Sequence, residues 1–314
     1  MSVTVLNPGL LTTVQDLGRV GYQQFGVSVC GVMDPRAAVI ANILAGNQDG
    51  EAVLECTMLG PHLRFDAANC IAVTGGDLGP TLDGQPIPTY QAIPVKAGQV
   101  LRFTGPKTGC RAFIAFSGGL EIPLVMGSRS TDLKAKIGGF QGRKLNKGDV
   151  IGFRAPKTTL KNLGLRSIAP EFIPRTPYTL RVVLGPQDSA FTREGLDTFL
   201  GQCYTVTPAF DRMGCRLEGP VIRHVGSSDI ISDGIALGAV QVPASGQPIV
   251  MLSDRQTTGG YTKIASVISG DFRLLAQLKA GDQVRFRKVS IQQAQEALLT
   301  QRAALKALRS AVSL

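Results

Sequence analysis

The sequence predicts a mainly β protein with two barrel domains, a few short helices and a C-terminal helix. Thirty-seven glycines and eighteen prolines are spread over 314 residues without a low-complexity tract. Frequent turn residues of this kind favour many short strands over long helices. The chain is also longer than the usual size of a domain with a single hydrophobic core. Its hydrophobic content of 44% is sufficient to fill two cores.

A repeated pattern supports two related β-barrels. The segments VKAGQVLRF (95–103), LNKGDVIGF (145–153) and LKAGDQVRF (278–286) each place Lys and Gly before an alternating strand that ends in Phe. The tetrapeptide GQPI also occurs twice, at 84–87 and 246–249. The copies are unequally spaced, which excludes a solenoid of regular repeats.

The first half of the chain is predicted to contain short strands and one helix. Residues 3–14 alternate and break at Asn-Pro-Gly, which indicates two strands joined by a turn. Asp34 and Pro35 are an N-cap and a first helical residue, and we expect that helix to end near Gly46. Short apolar runs with turn signals fill residues 52–116.

Two long segments lack the pattern of a strand or a helix. Residues 15–34 contain four glycines and few helix formers, and residues 125–149 are rich in glycine, hydroxyl groups and cations. Long ordered loops in compact domains are usually functional or buried at an interface. We therefore expect both loops to contribute to a site.

The second half begins after a prolyl, basic linker at 158–177. A strand is expected at 178–187 and a short helix at 189–200. The tail has Ser290 as a helix cap, followed by apolar residues at helical spacing. The predicted units are two β-barrel domains at 1–165 and 166–289 and a helix at 290–314.

The segment 234–264 is the strongest candidate for the active surface. Two apolar runs around Val240 and Val250 precede a polar cluster at 253–258, which ends in Gly259 and Gly260. A short strand that leads into polar residues and glycines presents side-chain and backbone donors to a ligand.

The composition argues against a nucleic-acid partner and against a membrane segment. The formal charge is +10, but Lys and Arg are scattered, aromatic residues are only 6% and Trp is absent. Nucleic-acid binding is therefore disfavoured, and an anionic small molecule or an acidic partner protein is favoured. No apolar run approaches the length of a membrane span, roughly 18 residues, so we expect no membrane segment and a cytoplasmic location.

Several standard sites are excluded by their motifs. No two glycines are separated by a single residue, so the dinucleotide-binding fingerprint cannot occur. Six cysteines without close pairs and two histidines do not assemble a usual zinc site, and we expect no protein-bound metal. His62 and His224 have no assignable catalytic partner, which favours a structural role for each.

The remaining residues suit anion and amide chemistry. Arg19 and Arg212 could fork onto a carboxylate or a phosphate. Residues 257–260 combine hydroxyl and backbone N–H donors. An oxyanion could be surrounded by the hydroxyls of Thr257 and Thr258 and the amides of Gly259 and Gly260. A solvated surface charge is an equally compatible interpretation for each Arg.

Two aspartates are candidates for handling protons or a cation. Asp132 and Asp254 could act as bases or hold Mg²⁺ bound to a nucleotide. The structural alternative for each carboxylate is an Asx-turn at a strand end.

Four segments resemble one known family. They are TTVQDLGRVGYQQFGVS (12–28), VMGSRSTDLKAKIGGFQGRKLNKGD (125–149), DRMGCRLEG (211–219) and GAVQVPASGQPIVMLSDRQTTGGYTKIA (238–265). The resemblance is to the family that contains the C subunit of 5-oxoprolinase, also called the KipI-antagonist (KipA) family. That family is related to allophanate hydrolase subunit 2 and to the carboxyltransferase domain of biotin-dependent urea carboxylase.

The resemblance implies two cyclophilin-like β-barrel domains and an enzyme built from separate subunits. The expected partners are a KipI-like B subunit, in direct contact, and a LamB/YcsF-like A subunit in the full complex. The expected reaction uses ATP with Mg²⁺ to open 5-oxoproline (pyroglutamate) to L-glutamate, with release of ADP and phosphate. The sequence shows no fused carboxylase or biotin carrier, which favours this activity.

The resemblance and the residue chemistry together suggest the site residues. The expected catalytic residues are Asp132, Arg212, Asp254 and Gln256, and the expected substrate-binding residues are Arg19, Ser130, Thr131, Gln241, Gln247, Thr257, Thr258, Gly259, Gly260 and Tyr261. Two alternatives stay open. One is a carboxyltransferase component that moves CO₂ from carboxybiotin to a urea- or guanidine-like amide, and the other is a non-catalytic antagonist that binds a KipI-like protein.

Overall fold

Residues 1–313 are described by the structure, a computed structural model, and they form two units that are discontinuous in sequence. The first unit contains Met1–Val20, Cys30–Ile173 and the chain from Ala303 onward, and the second contains Gly21–Val29 and Pro174–Arg302. The expected domain ranges 1–165 and 166–289 were linear. The segment 21–29 instead groups with the second unit, and the C-terminal helix contributes residues to both.

The chain forms twenty strands and four α-helices within the described residues. The strands of the first unit are β1 Ser2–Asn7, β2 Leu11–Gln15, β3 Val53–Thr57, β4 His62–Phe65, β5 Asn69–Asp77, β6 Pro80–Leu82, β7 Gln85–Pro86, β8 Ala92–Val95, β9 Val100–Phe103, β10 Thr108–Phe116 and β11 Val150–Gly152. The strands of the second unit are β12 Tyr178–Leu184, β13 Cys203–Val206, β14 Gly214–Glu218, β15 Asp229–Gly234, β16 Ala239–Gln241, β17 Ile249–Met251, β18 Thr258–Tyr261, β19 Lys263–Val267 and β20 Gln283–Lys288. The helices are α1 Pro35–Leu44, α2 Arg193–Gly201, α3 Phe272–Leu275 and α4 Ile291–Ser313, with short 3-10 turns at Gln23–Phe25, Leu163–Leu165, Asp188–Ala190 and Ser269–Asp271.

The first unit packs two antiparallel sheets around one apolar core. The six-stranded sheet has the order β11-β1-β4-β9-β6-β7, and the five-stranded sheet has the order β2-β3-β10-β5-β8. Phe65, Phe116 and Phe153 connect them, with ring centroids 6.3 and 5.7 Å apart in successive pairs. The strands of this unit therefore pair as two sheets. The predicted mainly β architecture is confirmed.

Helix α1 covers the five-stranded sheet and begins where the sequence predicts. Asp34 is the N-cap, because its Oδ1 accepts a hydrogen bond from Ala37 N at 3.0 Å, and Pro35 is the first helical residue. Eight of the ten helical residues are buried. A helix that is apolar on almost every face belongs inside the protein.

The second unit contains a closed barrel in the order β12-β19-β16-β17-β14-β13-β20. Its ring closes through a parallel pairing of β12 with β20, in which Leu180 lies opposite Phe286. Alternation places both residues inside the barrel. Phe199 of α2 stacks on Phe286 with ring centroids 4.4 Å apart, so the helix closes over the barrel core.

The repeated sequence pattern folds three times into one turn. Gly98, Gly148 and Gly281 have φ of +87°, +90° and +88°, a region that favours glycine. In each copy the side chain after the glycine accepts a hydrogen bond from the backbone N–H three residues earlier, at 2.8, 2.7 and 3.0 Å. The three turns lead into β9, β11 and β20. The repeated sequence therefore marks the same type of turn before each of these strands.

Helix α4 starts with a capping box and ends against α1. Ser290 Oγ accepts from Gln293 N at 3.1 Å, while Gln293 Oε1 accepts from Ser290 N at 2.9 Å. Leu305, Leu308 and Val312 pack on the apolar surface of α1. The predicted C-terminal helix is confirmed, and no helix within residues 1–313 has the length and apolarity to cross a membrane.

Candidate functional site

Arg212 and Asp254 form a bidentate ion pair in the second unit. Arg212 Nε donates to Asp254 Oδ2 at 2.9 Å, and Arg212 Nη2 donates to Asp254 Oδ1 at 3.0 Å. The two side chains are only 4% and 11% exposed. A planar fork on a carboxylate in a water-poor setting gives each group a fixed orientation.

The ion pair lies where two paired strands end. Strands β14 and β17 are antiparallel neighbours, and Gly214 lies opposite Met251. Asp211 Oδ1 accepts hydrogen bonds from Met213 N at 2.7 Å and from Gly214 N at 3.0 Å, which closes the turn that carries Arg212. The backbone N–H of Asp254 then donates to Arg212 O at 2.8 Å. Side-chain and backbone bonds together join the two turns.

Asp132 occupies a different unit and forms a local turn. Its Oδ1 accepts hydrogen bonds from Lys134 N at 3.0 Å and from Ala135 N at 2.9 Å, and the residue is 5% exposed. This is the Asx-turn that the sequence left open as a structural alternative. A role for Asp132 as a base stays a prediction.

The two aspartates differ in how well they suit Mg²⁺. The cation takes six oxygen ligands in a strict octahedron, whereas both oxygens of Asp254 are already bonded to a guanidinium that would repel it. In Asp132 the two N–H groups engage Oδ1 alone, so Mg²⁺ binding by this residue stays a prediction. No three His, Cys, Asp or Glu side chains in the described chain are grouped to hold a metal. We therefore derive no step through a metal bound to these residues.

The polar segment after β17 continues into a two-stranded ribbon. Gln256 and Thr258 are exposed, Thr257 is half-buried, and Thr258–Tyr261 form β18, which pairs with β15. The expected glycine cradle at Gly259 and Gly260 is therefore part of a strand. The local sequence did not indicate this strand pairing, because the partner strand β15 contains two aspartates and has the polar composition of a loop.

Gln241 lies beside this ribbon and has a buried donor available. The residue is 2% exposed, and its Nε2 has no hydrogen-bond partner among residues 1–313. A Cβ added to Gly259 would lie 2.9 Å from that Nε2 and 2.7 Å from Ile235 Cδ1, so only glycine fits this approach. An unpaired buried amide is costly, and an ordered water or a ligand can satisfy it.

Gln247 differs from Gln241 because its amide is already bonded. Gln247 Oε1 accepts from Gly219 N at 2.8 Å, and Gln247 Nε2 donates to Gly219 O at 3.0 Å. These two bonds hold the end of β14. Substrate binding by Gln247 stays a prediction.

The remaining predicted residues surround Asp16 in the first unit. The Asp16 carboxylate accepts hydrogen bonds from Ser128 Oγ, Ser130 Oγ and Arg129 N, all at 2.6 Å. Thr131 Oγ1 donates to Val14 O at 2.9 Å. Asp16 was not among the predicted site residues, although the Ser-x-Ser spacing at 128–130 could have indicated two hydroxyls converging on one acceptor.

Arg19 belongs to the same first-unit cluster. Its side chain is fully buried, Nε donates to Val125 O and Nη2 donates to Ser130 O, both at 2.9 Å. Nη1 has no hydrogen-bond partner in the part of the chain that the structure describes. The predicted residues thus fall into two clusters, one in each unit.

The two histidines were expected to have structural roles. His224 Nε2 lies 3.1 Å from both Val242 O and Thr262 Oγ1, and its ring centroid lies 4.6 Å from that of Phe191. Partial burial, followed by the charge of Arg102, lowers the pKa of His62. The contacts of His224 agree with the structural interpretation, and a structural role for His62 stays a prediction.

Comparisons with known proteins give the family. Residues 25–288 match the carboxyltransferase domain, subdomain A and B. The chain is 36% identical to the C subunit of 5-oxoprolinase from Escherichia coli (strain K12) and 35% identical to that from Haemophilus influenzae, in each case over 93% of both chains. The crystal structure of the K. lactis urea amidolyase has a TM-score of 0.89 and 30% identity, covering 98% of this chain and 20% of that one. The chain therefore belongs to the carboxyltransferase domain family of subdomains A and B.

Proposed function

We propose that this chain is one component of an ATP-dependent 5-oxoprolinase assembly, which opens 5-oxoproline to L-glutamate and releases ADP and phosphate. The proposal rests on the 36% identity to the C subunit of 5-oxoprolinase over 93% of both chains. In this proposal a KipI-like B subunit binds the chain directly, and a LamB/YcsF-like A subunit completes the complex.

The reaction sets clear demands on a site. A five-membered lactam is a poor electrophile, and transfer of a phosphoryl group from ATP to the lactam oxygen makes that oxygen a good leaving group. One water then adds to the activated carbon and the ring C–N bond breaks, which gives an acyl phosphate and the free amine. A second water hydrolyses the acyl phosphate to the carboxylate and phosphate. Such a site needs oriented donors and acceptors more than a nucleophile.

The second-unit cluster can meet those demands. The Arg212 fork fixes the Asp254 carboxylate, whose oxygens can accept a further hydrogen bond from the lactam N–H. Gln241 Nε2 is a buried donor that lacks an acceptor. Gln256 and Thr257 follow shortly after Asp254 in the chain and supply further amide and hydroxyl groups.

Reconstitution tests the proposal. The chain is mixed with purified A-like and B-like subunits, and phosphate release is measured with and without 5-oxoproline. We expect release that depends on 5-oxoproline and on all three proteins. No release from the three folded proteins together would reject the proposal.

Carboxyl transfer is the second candidate. Urea amidolyase of Saccharomyces cerevisiae is 30% identical over 98% of this chain, although the match covers only 18% of that protein. This activity would require carboxybiotin, so avidin would block it and leave the proposed 5-oxoprolinase reaction unaffected. Stable binding to the B-like protein without any turnover would instead support the non-catalytic antagonist.

A further inference from the structure

A cleft of about 410 Å³ opens in the first unit between the segments 121–125 and 136–142. Ile122, Ile137 and Phe140 give it an apolar lining, and Gly138 and Gly139 form part of one wall. Its size is that of a small-molecule site, which is usually apolar with a few oriented polar groups. None of the predicted catalytic or substrate-binding residues lines the cleft.

The buried Arg19 guanidinium lies directly behind this wall. Its Nε bonds to the carbonyl of Val125, and a Cβ added to Gly138 would come within 2.5 Å of its Nη2. Val125 and Gly138 both line the cleft. Arg19 is fully buried, its Nη1 has no hydrogen-bond partner, and no carboxylate in the described chain forms an ion pair with it. The Asp16 carboxylate is bonded to the same Ser130 as Arg19, so the guanidinium gives this wall a partly balanced positive charge that attracts an anion weakly.

Backbone donors add to this attraction. The N–H groups of Gly138, Phe140 and Gln141 donate to no protein atom among residues 1–313. Gly138 and Gly139 have φ of +65° and +52°. Added Cβ atoms there would lie 2.2 Å from Ser130 O and 1.8 Å from Thr131 Oγ1, respectively. Glycine is therefore required for the wall to lie this close to the Arg19 cluster.

Two exposed side chains of opposite charge stand at the rim. Lys136 is on one segment, and Glu121 is on the other, with its carboxylate next to Gly152. Arg143 stacks on the Phe140 ring at 5.2 Å, but Asp149 holds it through bonds of 2.7 and 2.9 Å. Lys136 would attract an anion to the cleft, whereas Glu121 would oppose it.

We propose that this cleft binds a small carboxylate that carries a compact apolar body. The carboxylate contacts the free N–H groups in front of Arg19, and the apolar body packs on Ile122, Ile137 and Phe140. The backbone N–H groups without an acceptor account for the charge of the ligand, and the apolar lining favours a carboxylic acid over free phosphate. This inference stands independently of the proposed 5-oxoprolinase activity.

Calorimetric titration of the full chain tests the proposal. Benzoate is the probe, benzamide is its neutral isostere, and inorganic phosphate tests a generic anion site. We expect benzoate to bind at least about tenfold more tightly than benzamide, because hydrogen bonds to a charged group are the stronger ones. Equal binding of benzoate and benzamide, or tighter binding of phosphate than of benzoate, would overturn the proposal.

Rim variants locate the binding. Lys136→Gln should weaken benzoate binding about threefold and Glu121→Gln should strengthen it by a similar factor, as expected for partly screened charges. Lys134→Gln is the matched control, because Lys134 is an exposed cation two residues from Lys136 that does not line the cleft. Benzoate affinity that is identical in all three variants would place the bound molecule elsewhere and reject the cleft.

Discussion

At the scale of single residues, the Arg212–Asp254 pair shows how burial changes the meaning of a charged motif. From the sequence, Arg212 was a candidate for contact with a carboxylate or a phosphate, and Asp254 was a candidate for handling protons or Mg²⁺. The structure binds them to each other at 2.9 and 3.0 Å, so Arg212 positions a carboxylate. Sequence could identify the residue types, but a pairing across 42 positions depends on the barrel that brings the two turns together.

Removing one partner of this ion pair should lower the free energy of unfolding more than removing both charges. Arg212→Met or Asp254→Leu alone leaves a buried charge without its partner, and we expect each to lower the free energy of unfolding by about 3–5 kcal/mol. The double variant should lose less than the sum of the two. Urea unfolding of the four proteins measures this coupling, and strictly additive losses would contradict it.

Asp149 should make stability depend on pH. Partial burial acts to raise its pKa, but hydrogen bonds from Arg143 and from Asn146 N–H, together with the Arg143 charge, outweigh burial and hold the pKa below its usual range. The stabilisation is therefore complete above the unfolded value, about 3.9, and is lost as the pH falls through the lower folded pKa. The difference in urea midpoint between wild type and Asp149→Asn should be largest near neutral pH and vanish in acid.

The related turn supplies the control for this measurement. Gln99 occupies the position equivalent to Asp149 and accepts the same bond from the backbone, but it is uncharged. Gln99→Ala should lower stability by an amount that changes less across the same acidic range, since its only link to a carboxylate is the bond from Gln99 Nε2 to Asp83 Oδ2 at 3.0 Å. A pH-independent effect of Asp149→Asn would show that its charge contributes nothing.

At the scale of elements, local sequence predicted most of what the structure contains. Asp34 and Pro35 marked the start of α1, Ser290 marked α4, and the repeated segments marked β9, β11 and β20. These signals succeed because caps and positive-φ turns are determined by neighbours in sequence. The ribbon of β15 and β18 was missed because its polar sequence lacks the alternation of a half-buried strand.

The turn before β20 gives a direct test at this scale. Gly281 has φ of +88° and no atom within 4 Å of an added Cβ, so Gly281→Ala introduces backbone strain without a clash. We expect a loss of about 1 kcal/mol in the free energy of unfolding. Gly50→Ala is the control, since its added Cβ also meets nothing but its φ is not positive. Equal effects of the two substitutions on thermal unfolding would contradict the account.

At the scale of the whole molecule, the sequence indicated two related β units but not their composition. The segment 21–29 belongs with the second unit although most of that unit begins only at Pro174. The barrel also closes by pairing β12 with β20, the first and last of its strands along the chain. Such contacts leave no periodic trace in the sequence, because they depend on which surfaces remain after the local elements form.

We propose that the oriented Asp254 carboxylate serves the opening of 5-oxoproline. The most direct measurement is 5-oxoproline-dependent phosphate release by the reconstituted assembly, with this chain as wild type, Asp254→Asn, or the exposed-site control Asp229→Asn. We expect Asp254→Asn to lower the rate at least about a hundredfold, the cost of losing one oriented polar group in such a site, while Asp229→Asn retains the wild-type rate. A wild-type rate from a folded, assembled Asp254→Asn protein would contradict the claim.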